Sequence, residues 1–217
     1  MTTPDPAPAL SFRSVLIAGT LGVTFASGLG AGLMLQRYDS SIGFAREAEG
    51  IAAVLELAPG DSVGDIRAGT GRWTVDMARR VGSEGQAFAT VGPDPAHVLM
   101  ATVADSGLDN ITVITRTPGD SPRLPLGCCD AVLLRLVYSD LRRERPSFLS
   151  NVRRVTKPGG LVAVIDFHPD APTGPPRTTL PRREVIAEFE AAGFTLVADH
   201  ESWFGKTYCE VFRRNQE

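Results

Sequence analysis

The stretch VGDIRAGTGRW, from Val63 to Trp73, has residue types and spacings that suit ligand binding. Asp65 ends a strand-like run, and Gly69 and Gly71 follow two residues apart, just before a helical pattern. A glycine has no side chain, so the backbone there can approach a ligand closely. The stretch therefore predicts a loop that holds a nucleotide. Such loops usually carry their first glycine where this chain has Arg67, whose long side chain would occupy ligand space.

Few side chains of the chain are suited to proton transfer. His168 follows a strand-like run, on the side of the sheet where a ligand is expected, and is the candidate for a catalytic base. His97 lies in a helical pattern and His200 ends a later strand, so both are interpreted as ordinary surface or core residues.

The three cysteines, Cys128, Cys129 and Cys209, do not have the spacing of metal ligands. No metal site is therefore expected. Adjacent cysteines rarely pair with each other, and we interpret all three as buried structural thiols.

Strand-like and helix-like patterns alternate along the chain after the first fifty residues. The strand runs are near-continuously apolar, which is typical of a parallel sheet covered on both faces. The alternation predicts an α/β fold with a Rossmann-like, doubly wound, mostly parallel seven-stranded sheet, whose ligand lies at the carboxyl ends of the strands. The predicted strands are Ser62–Ile66, Gln86–Val91, Ile111–Thr115, Ala131–Val137, Leu161–Phe167, FTLVADH and KTYCEVFR, and the predicted helices are Thr70–Val81, Pro95–Ser106 and Arg183–Ala192.

Composition excludes some classes of protein. Of the 217 residues, 43% are hydrophobic and 22% charged, so a packed core is feasible and a wholly disordered chain is not expected. The net charge of −3 gives no basic surface for nucleic acid, so no nucleic-acid partner is predicted.

The segment 14–35, SVLIAGTLGVTFASGLGAGLML, carries no charge and is bracketed by Arg13 and Arg37. As a helix it would span about 33 Å, which is enough for the hydrocarbon core of a bilayer. We therefore predict a tail over 1–13, a transmembrane helix over 14–35, a linker over 36–49 and a folded domain over 50–217. A cleavable signal peptide ending near Ala26 is the alternative.

Small residues recur every four positions in this segment, which places them along one stripe of a helix. Such a stripe favours close approach of another helix, and it predicts transmembrane helices of a larger membrane complex as partners. The stripe consists of Ser14, Ala18, Gly22, Ala26 and Gly30.

Four segments resemble the class I S-adenosylmethionine (SAM)-dependent methyltransferases, and the likeness covers about Arg46 to Arg214. GDIRAGTGRWT is similar to the first motif of the family, and LPLGCCDAVLLRLVYSDL to the segment around its fourth strand. VTKPGGLVAVIDFHP is similar to the turn and fifth strand, and LPRREVIAEFEAAGFTLVADH to the last helix and sixth strand. A dinucleotide dehydrogenase is excluded, because no G-x-G-x-x-G follows the first strand.

The resemblance implies a SAM pocket with four matching residues. Asp65 stands where the family has an acid near the amino-acid moiety of the cofactor, and Gly69 and Gly71 stand in the loop. Asp120, four residues before a Leu-Pro pair, matches the acid that reaches the adenine amino group. An aspartate that ends a strand can also be a turn residue or a helix cap.

Three departures from the family pattern lie at the cofactor edge. Arg67 replaces the first glycine, and if that position needs a positive φ, a side chain costs about 1–2 kcal/mol. Val91 or Gly92 stands where the family has an acid for the ribose hydroxyls, with Asp94 two or three residues later; an unmatched hydroxyl costs roughly 1–2 kcal/mol. After VLL in the fourth strand, where relatives often have polar or acidic residues, this chain has Arg135, Leu136 and Val137. The departures predict that SAM binding is no longer selected, although Arg67 could pair with the carboxylate of the cofactor.

Two hypotheses of function follow. In the first, the chain is a non-catalytic, membrane-anchored subunit that braces a larger membrane complex, such as a respiratory or photosynthetic one, with no cofactor expected. In the alternative, it is a membrane-anchored SAM-dependent methyltransferase that acts on a lipid-soluble small molecule such as a quinone or a pigment precursor. A regulatory domain for another small ligand is a third possibility.

The location predicted with either hypothesis is the cell membrane, crossed once. A short tail before an apolar, signal-like segment commonly stays inside while the rest is exported, which favours a domain outside the cytoplasm. The basic residues Arg13, Arg37 and Arg46 are too few to orient the span on their own.

Overall fold

The computed structural model describes residues 42–92, 96–115, 124–169 and 179–216. These lie chiefly in one compact unit, Glu47–Glu217. Helix α1 covers residues 42–54. The further elements, in chain order, are β1 (Ser62–Asp65), α2 (Arg72–Val81), β2 (Gln86–Val91), α3 (Ala96–Ser106), β3 (Ile111–Thr115), β4 (Cys129–Arg135), a 3-10 helix (Tyr138–Glu144), α4 (Arg145–Val155), β5 (Thr156–Phe167), α5 (Arg182–Ala191), β6 (Phe194–His200) and β7 (Thr207–Arg214).

The seven strands form one sheet in the order β3-β2-β1-β4-β5-β7-β6. The first five strands run parallel, and β7 is antiparallel to both β5 and β6. The predicted seven-stranded, mostly parallel α/β sheet is thereby confirmed.

Both faces of the sheet are buried, as the apolar strand runs predict. On β4, Val132 and Leu134 pack into the core under α4 and α5, whereas Ala131 and Leu133 face the core under α1 and α2. Alternate side chains of a strand point to opposite faces, so one apolar run fills two cores.

The strand order reverses between β1 and β4. β1 pairs with β2 on one side and with β4 on the other, so the connections leave the carboxyl ends of these strands in opposite directions. This opens a crevice at the carboxyl ends of the central strands, the expected place for a ligand in an open α/β sheet. We call the ends of β1, β2, β4 and β5 the carboxyl edge.

Some element bounds differ from the sequence prediction. The predicted linker 36–49 is helical from residue 42 onward. The 3-10 helix and α4 were not predicted, since their start is a charge run followed by Pro146, which reads as a loop. Proline is tolerated in the first turn of a helix, where its missing N–H has no intrahelical partner to lose. Arg145, at the start of α4, forms ion pairs with Glu184 and Glu188 of α5.

The cysteine prediction was wrong in part. Cys128 and Cys129 are joined by a disulfide, whereas Cys209 is a free and buried thiol.

The predicted membrane location is also corrected. Among the described residues, no helix is both long enough and apolar enough to cross a bilayer. The predicted span 14–35, with the stripe from Ser14 to Gly30, lies outside the described residues, so its partner helices remain a prediction. We therefore assign neither a single-pass membrane location nor an extracytoplasmic domain.

The first prediction concerns an ion pair that ties α5 to β7. Arg182 Nε donates to Glu210 Oε1 at 2.6 Å, and the Glu210 side chain is 0% exposed. We expect Arg182→Met to lower the free energy of unfolding by about 3–5 kcal/mol, because a buried carboxylate loses its counter-charge. Urea titration at pH 7 measures this loss, with the exposed neighbour Arg183→Met as control.

The same variant has a pH signature. Burial raises the pKa of Glu210 from its ordinary value, and loss of Arg182 raises it further. A carboxyl whose pKa is raised by folding stabilises the folded state less as the pH rises above its unfolded pKa. The loss in free energy of unfolding caused by Arg182→Met should therefore become smaller as the pH falls toward 4.5. An equal loss in Arg182→Met and Arg183→Met would contradict the prediction.

Candidate cofactor site

The turn that leaves β1 has three residues in the left-handed region. Arg67 has φ +59°, Gly69 +57° and Gly71 +82°. The condition that made Arg67 costly is thus met, since a non-glycine residue in this region costs about 1–2 kcal/mol. The turn keeps its shape although its first glycine is an arginine.

Thr90, the penultimate residue of β2, holds this turn. Its Oγ1 accepts the Arg67 N–H at 3.0 Å, and its carbonyl oxygen accepts the Ala68 N–H at 2.9 Å. Two consecutive amides of the turn are therefore fixed to the neighbouring strand. The sequence analysis did not identify Thr90, whose only signal was a polar residue near the end of an apolar strand.

Asp65 is buried at the end of β1 and binds the start of helix α2. The Thr74 hydroxyl donates to Asp65 Oδ2 at 2.6 Å, and the Thr74 backbone N–H also donates to this carboxylate. Burial raises the pKa of Asp65 from 3.8 to about 6, although the Thr74 hydrogen bonds and the charge of Arg135 act to lower it. Asp65 is 3% exposed, so its direct contacts are those of a helix cap.

The two predicted glycines have different surroundings. A Cβ built on Gly71 would lie 3.2 Å from Leu99 Cγ, so Gly71 allows α3 to pack on the turn. A Cβ built on Gly69 would have no atom of the described residues within 4 Å, so the turn faces space that these residues leave open. Of the two, Gly69 is the one at which a ligand can approach the backbone.

Arg135, the last residue of β4, is held rigidly beside this turn. Its Nε and Nη2 donate to the two oxygens of Glu47, at 2.9 and 3.0 Å, and its guanidinium lies 4.6 Å from the centre of the Trp73 ring. Glu47 is 7% exposed, so this bidentate pair is shielded from water. Glu47 was missed, because it lies in the predicted linker, 88 residues from its partner.

The end of β2 supplies no acidic side chain among the described residues. Val91 is buried in the core beside Leu99, and Gly92 has no side chain to offer. Asp94 and the predicted adenine-binding Asp120 lie outside the described residues, so their roles remain predictions.

His168 lies just after β5, at the same edge. Its Nε2 is 2.6 Å from the carbonyl oxygen of Glu201, and its ring meets that of Tyr208 edge-on at 5.7 Å. Since β4 separates β5 from β1, His168 is about two strand spacings, roughly 10 Å, from the turn. The structure therefore places His168 at the carboxyl edge, apart from Asp65, Gly69 and Gly71.

The residues of the turn fit a nucleoside cofactor on one observation, the open space over Gly69. Within the part of the chain that the structure describes, no cluster of His, Cys, Asp and Glu could hold a metal ion. The groups that could bind a ligand at the carboxyl edge are thus the backbone of the turn and the charged side chains beside it.

Comparison with known proteins identifies the fold. Residues 64–164 match the family model of the methyltransferase domain. A SAM-dependent methyltransferase of Aquifex aeolicus superposes with a TM-score of 0.67 at 25% identity, covering 76% of this chain and 87% of that one. The fold is that of the class I methyltransferases.

Curated relatives are methyltransferases by name. The 2-phytyl-1,4-naphtoquinone methyltransferase of Synechococcus elongatus is 33% identical over 114 residues, which is 51% of this chain and 47% of that protein. The ubiquinone/menaquinone biosynthesis C-methyltransferase UbiE of Burkholderia mallei is 32% identical over 117 residues, 53% of this chain and 46% of that protein. The chain thus spans about half the length of these relatives.

These findings overturn the main hypothesis of function. A non-catalytic bracing subunit has no support in the family match or in the names of the relatives, which favour the methyltransferase alternative. The error came from treating each departure at the cofactor edge as loss of the site. Arg67 retains the backbone geometry of the turn, so its presence is not a sign of decay.

The second prediction follows from the burial of Asp65. Because its pKa is raised to about 6 in the folded chain, the folded state binds a proton between pH 4 and 6 that the unfolded state releases. We expect Asp65 to lower the free energy of unfolding by roughly 2–3 kcal/mol as the pH rises through this window.

Asp65→Asn should remove that slope, because an amide keeps an acceptor for Thr74 and does not titrate. Its free energy of unfolding at pH 7 should equal or exceed that of the wild type, as measured by urea titration at several pH values. Asp109→Asn, at an exposed loop position before β3, is the control and should leave the slope unchanged. A wild-type slope that survives in Asp65→Asn would assign the titration to another group.

Proposed function

We propose that this protein is a SAM-dependent methyltransferase that acts on a lipid-soluble small molecule with a quinone-type ring. The proposal is supported by the methyltransferase family match over residues 64–164 and by two relatives named for a phytyl naphthoquinone and for ubiquinone and menaquinone. The identity of the methyl acceptor is also part of the proposal, because the chain spans only about half the length of those relatives.

One observation carries the assignment of the cofactor. The turn keeps its left-handed residues at positions 67, 69 and 71, although Arg67 makes the first of them costly. A strained residue persists where the surroundings fix it, and such residues cluster at ligand sites. The strained turn thus supports a ligand site here, with Gly69 as the point at which the ligand would approach the backbone.

The bound cofactor would supply a methyl group carried on a sulfonium ion. Gly69 and the neighbouring backbone would hold its nucleoside, while the Asp65–Thr74 contact fixes the start of α2 behind the turn. Arg135 cannot turn toward a ligand freely, because Glu47 and Trp73 hold it on both sides. These residues would bind and orient, and positioning of this kind can supply much of the rate of a transfer reaction.

Methylation at a ring carbon replaces a C–H bond by a C–CH3 bond, so the ring proton must pass to a base. His168 is the candidate for this step. A carbonyl oxygen can only accept, so the Nε2 that faces Glu201 carries the proton in the hydrogen bond. In the neutral ring, Nδ1 is then the nitrogen with a lone pair, and it is the atom that would accept the proton.

The proposal is tested with the full chain in two steps. Calorimetry with SAM and with S-adenosylhomocysteine should give micromolar affinity, about −8 kcal/mol. Incubation with SAM and a reduced prenyl-1,4-naphthoquinone that has one unsubstituted ring carbon should give a methylated product by mass spectrometry. No binding heat at ~1 mM SAM, about −4 kcal/mol, would refute the proposal.

The third prediction separates ligand space from backbone strain. Gly69 and Gly127 have the same backbone conformation, φ +57° and +58°, and a Cβ at either would have no atom within 4 Å. Gly127 precedes β4, at the opposite edge of the sheet from Gly69. Replacement of either glycine by glutamine should cost about 1 kcal/mol of stability.

Only Gly69→Gln should weaken SAM binding, by at least tenfold, because its side chain enters the space over the turn. Calorimetry measures the binding, and thermal unfolding of both variants checks that the strain is matched. Equal SAM affinity in the two variants would show that the ligand does not lie over Gly69.

A further inference from the structure

Arg67 is the charged residue of the turn whose role the fold leaves unexplained. Its backbone N–H is fixed by Thr90, so its side chain starts from a fixed point at the end of β1. The residue is half-buried, and its left-handed backbone would be less costly with glycine. The arginine thus occupies a strained position without any packing need that the described contacts reveal.

The other charged groups at this edge are matched. Asp65 accepts hydrogen bonds from the hydroxyl and backbone N–H of Thr74, and Arg135 donates through Nε and Nη2 to Glu47. The Arg67 guanidinium has no hydrogen bond or ion pair with any residue that the structure describes. Of the two arginines at this turn, Arg135 thus has a carboxylate partner, whereas Arg67 has none among the described residues.

Several other partly buried arginines of the same domain are paired with carboxylates, whereas Arg153 and Arg214 have no such partner among the described residues. Arg80 binds Asp76 and Glu49, and Arg145 binds Glu184 and Glu188. A guanidinium that is partly withdrawn from water gains most from a carboxylate, which it can bind through two parallel N–H groups. Arg67 lacks such a partner within the described chain, and it lies on the turn that borders the open space over Gly69.

We propose that Arg67 binds the carboxylate of the methionine moiety of the cofactor. This inference rests on the proposed function. SAM has one anionic group, the carboxylate, while its ammonium and sulfonium groups are cations that would repel a guanidinium. An arginine at the first position of the turn therefore selects the carboxylate end of the ligand and orients the cofactor from that end.

The test compares two ligands that differ by the proposed contact. S-adenosylhomocysteine carries the carboxylate, whereas 5′-methylthioadenosine keeps the adenosine and thioether but lacks the amino-acid moiety. Calorimetry on the full chain should show that Arg67→Met weakens S-adenosylhomocysteine at least tenfold and leaves 5′-methylthioadenosine within twofold. Arg67→Gly, which also removes the backbone strain, should show the same selective loss, and Arg67→Lys should lose less than either.

The control is Arg79→Met, an exposed arginine at the far end of α2, which should change neither affinity. Equal weakening of both ligands, or unchanged S-adenosylhomocysteine affinity in Arg67→Gly, would overturn the role of Arg67 while the methyltransferase assignment stands. A wild type that binds neither S-adenosylhomocysteine nor SAM would instead overturn the proposed function and this inference with it.

Discussion

The carboxyl edge depends on two hydrogen bonds that fix the turn after β1 to Thr90 of β2. The hydroxyl and carbonyl oxygens of one residue accept two consecutive amides, those of Arg67 and Ala68. With these amides fixed, the chain must rise through the left-handed residues that follow before it can enter α2. A turn tied to the sheet by its backbone can accept an unusual side chain, because its shape does not depend on what that side chain contacts.

Most of the fold could be predicted from the sequence, because its central strands are buried on both faces. Runs such as Ala131 to Leu134 are apolar at every position, and this pattern separates a parallel sheet from a half-exposed one. The turn before α4 could not be predicted in the same way. Its charge run and Pro146 resemble a loop, and only the acids of α5, some 40 residues later, make a helix there favourable. Contacts of that sequence separation leave no local pattern.

The residues of the candidate site could be predicted only where they lie close together in one sequence motif. Asp65, Gly69 and Gly71 were found from their spacing, and the structure brings them together in one turn. The Glu47–Arg135 pair was not found, because its members lie in different elements and neither stands in a motif. The structure also changes what Asp65 does directly, since a carboxylate that is 3% exposed contacts Thr74 at the start of the helix. The spacing of residues gave their location, and burial decided which of them can touch a ligand.

Of the three described non-glycine residues with positive φ, two lie on either side of the point where the strand order reverses, and the third is Glu56. Besides Arg67 at the end of β1, Leu136 follows β4 with φ +57°. The Ile66 N–H, directly before Arg67, donates to the Leu133 carbonyl oxygen at 3.1 Å, and the Leu136 N–H itself donates to the Ile165 carbonyl oxygen at 2.7 Å. The ladder hydrogen bonds of the sheet thus continue up to the residues that bend away from it. Two adjacent strands thus end in turns that hydrogen bonds fix to the sheet, and a ligand site with fixed walls loses less conformational freedom when the ligand binds.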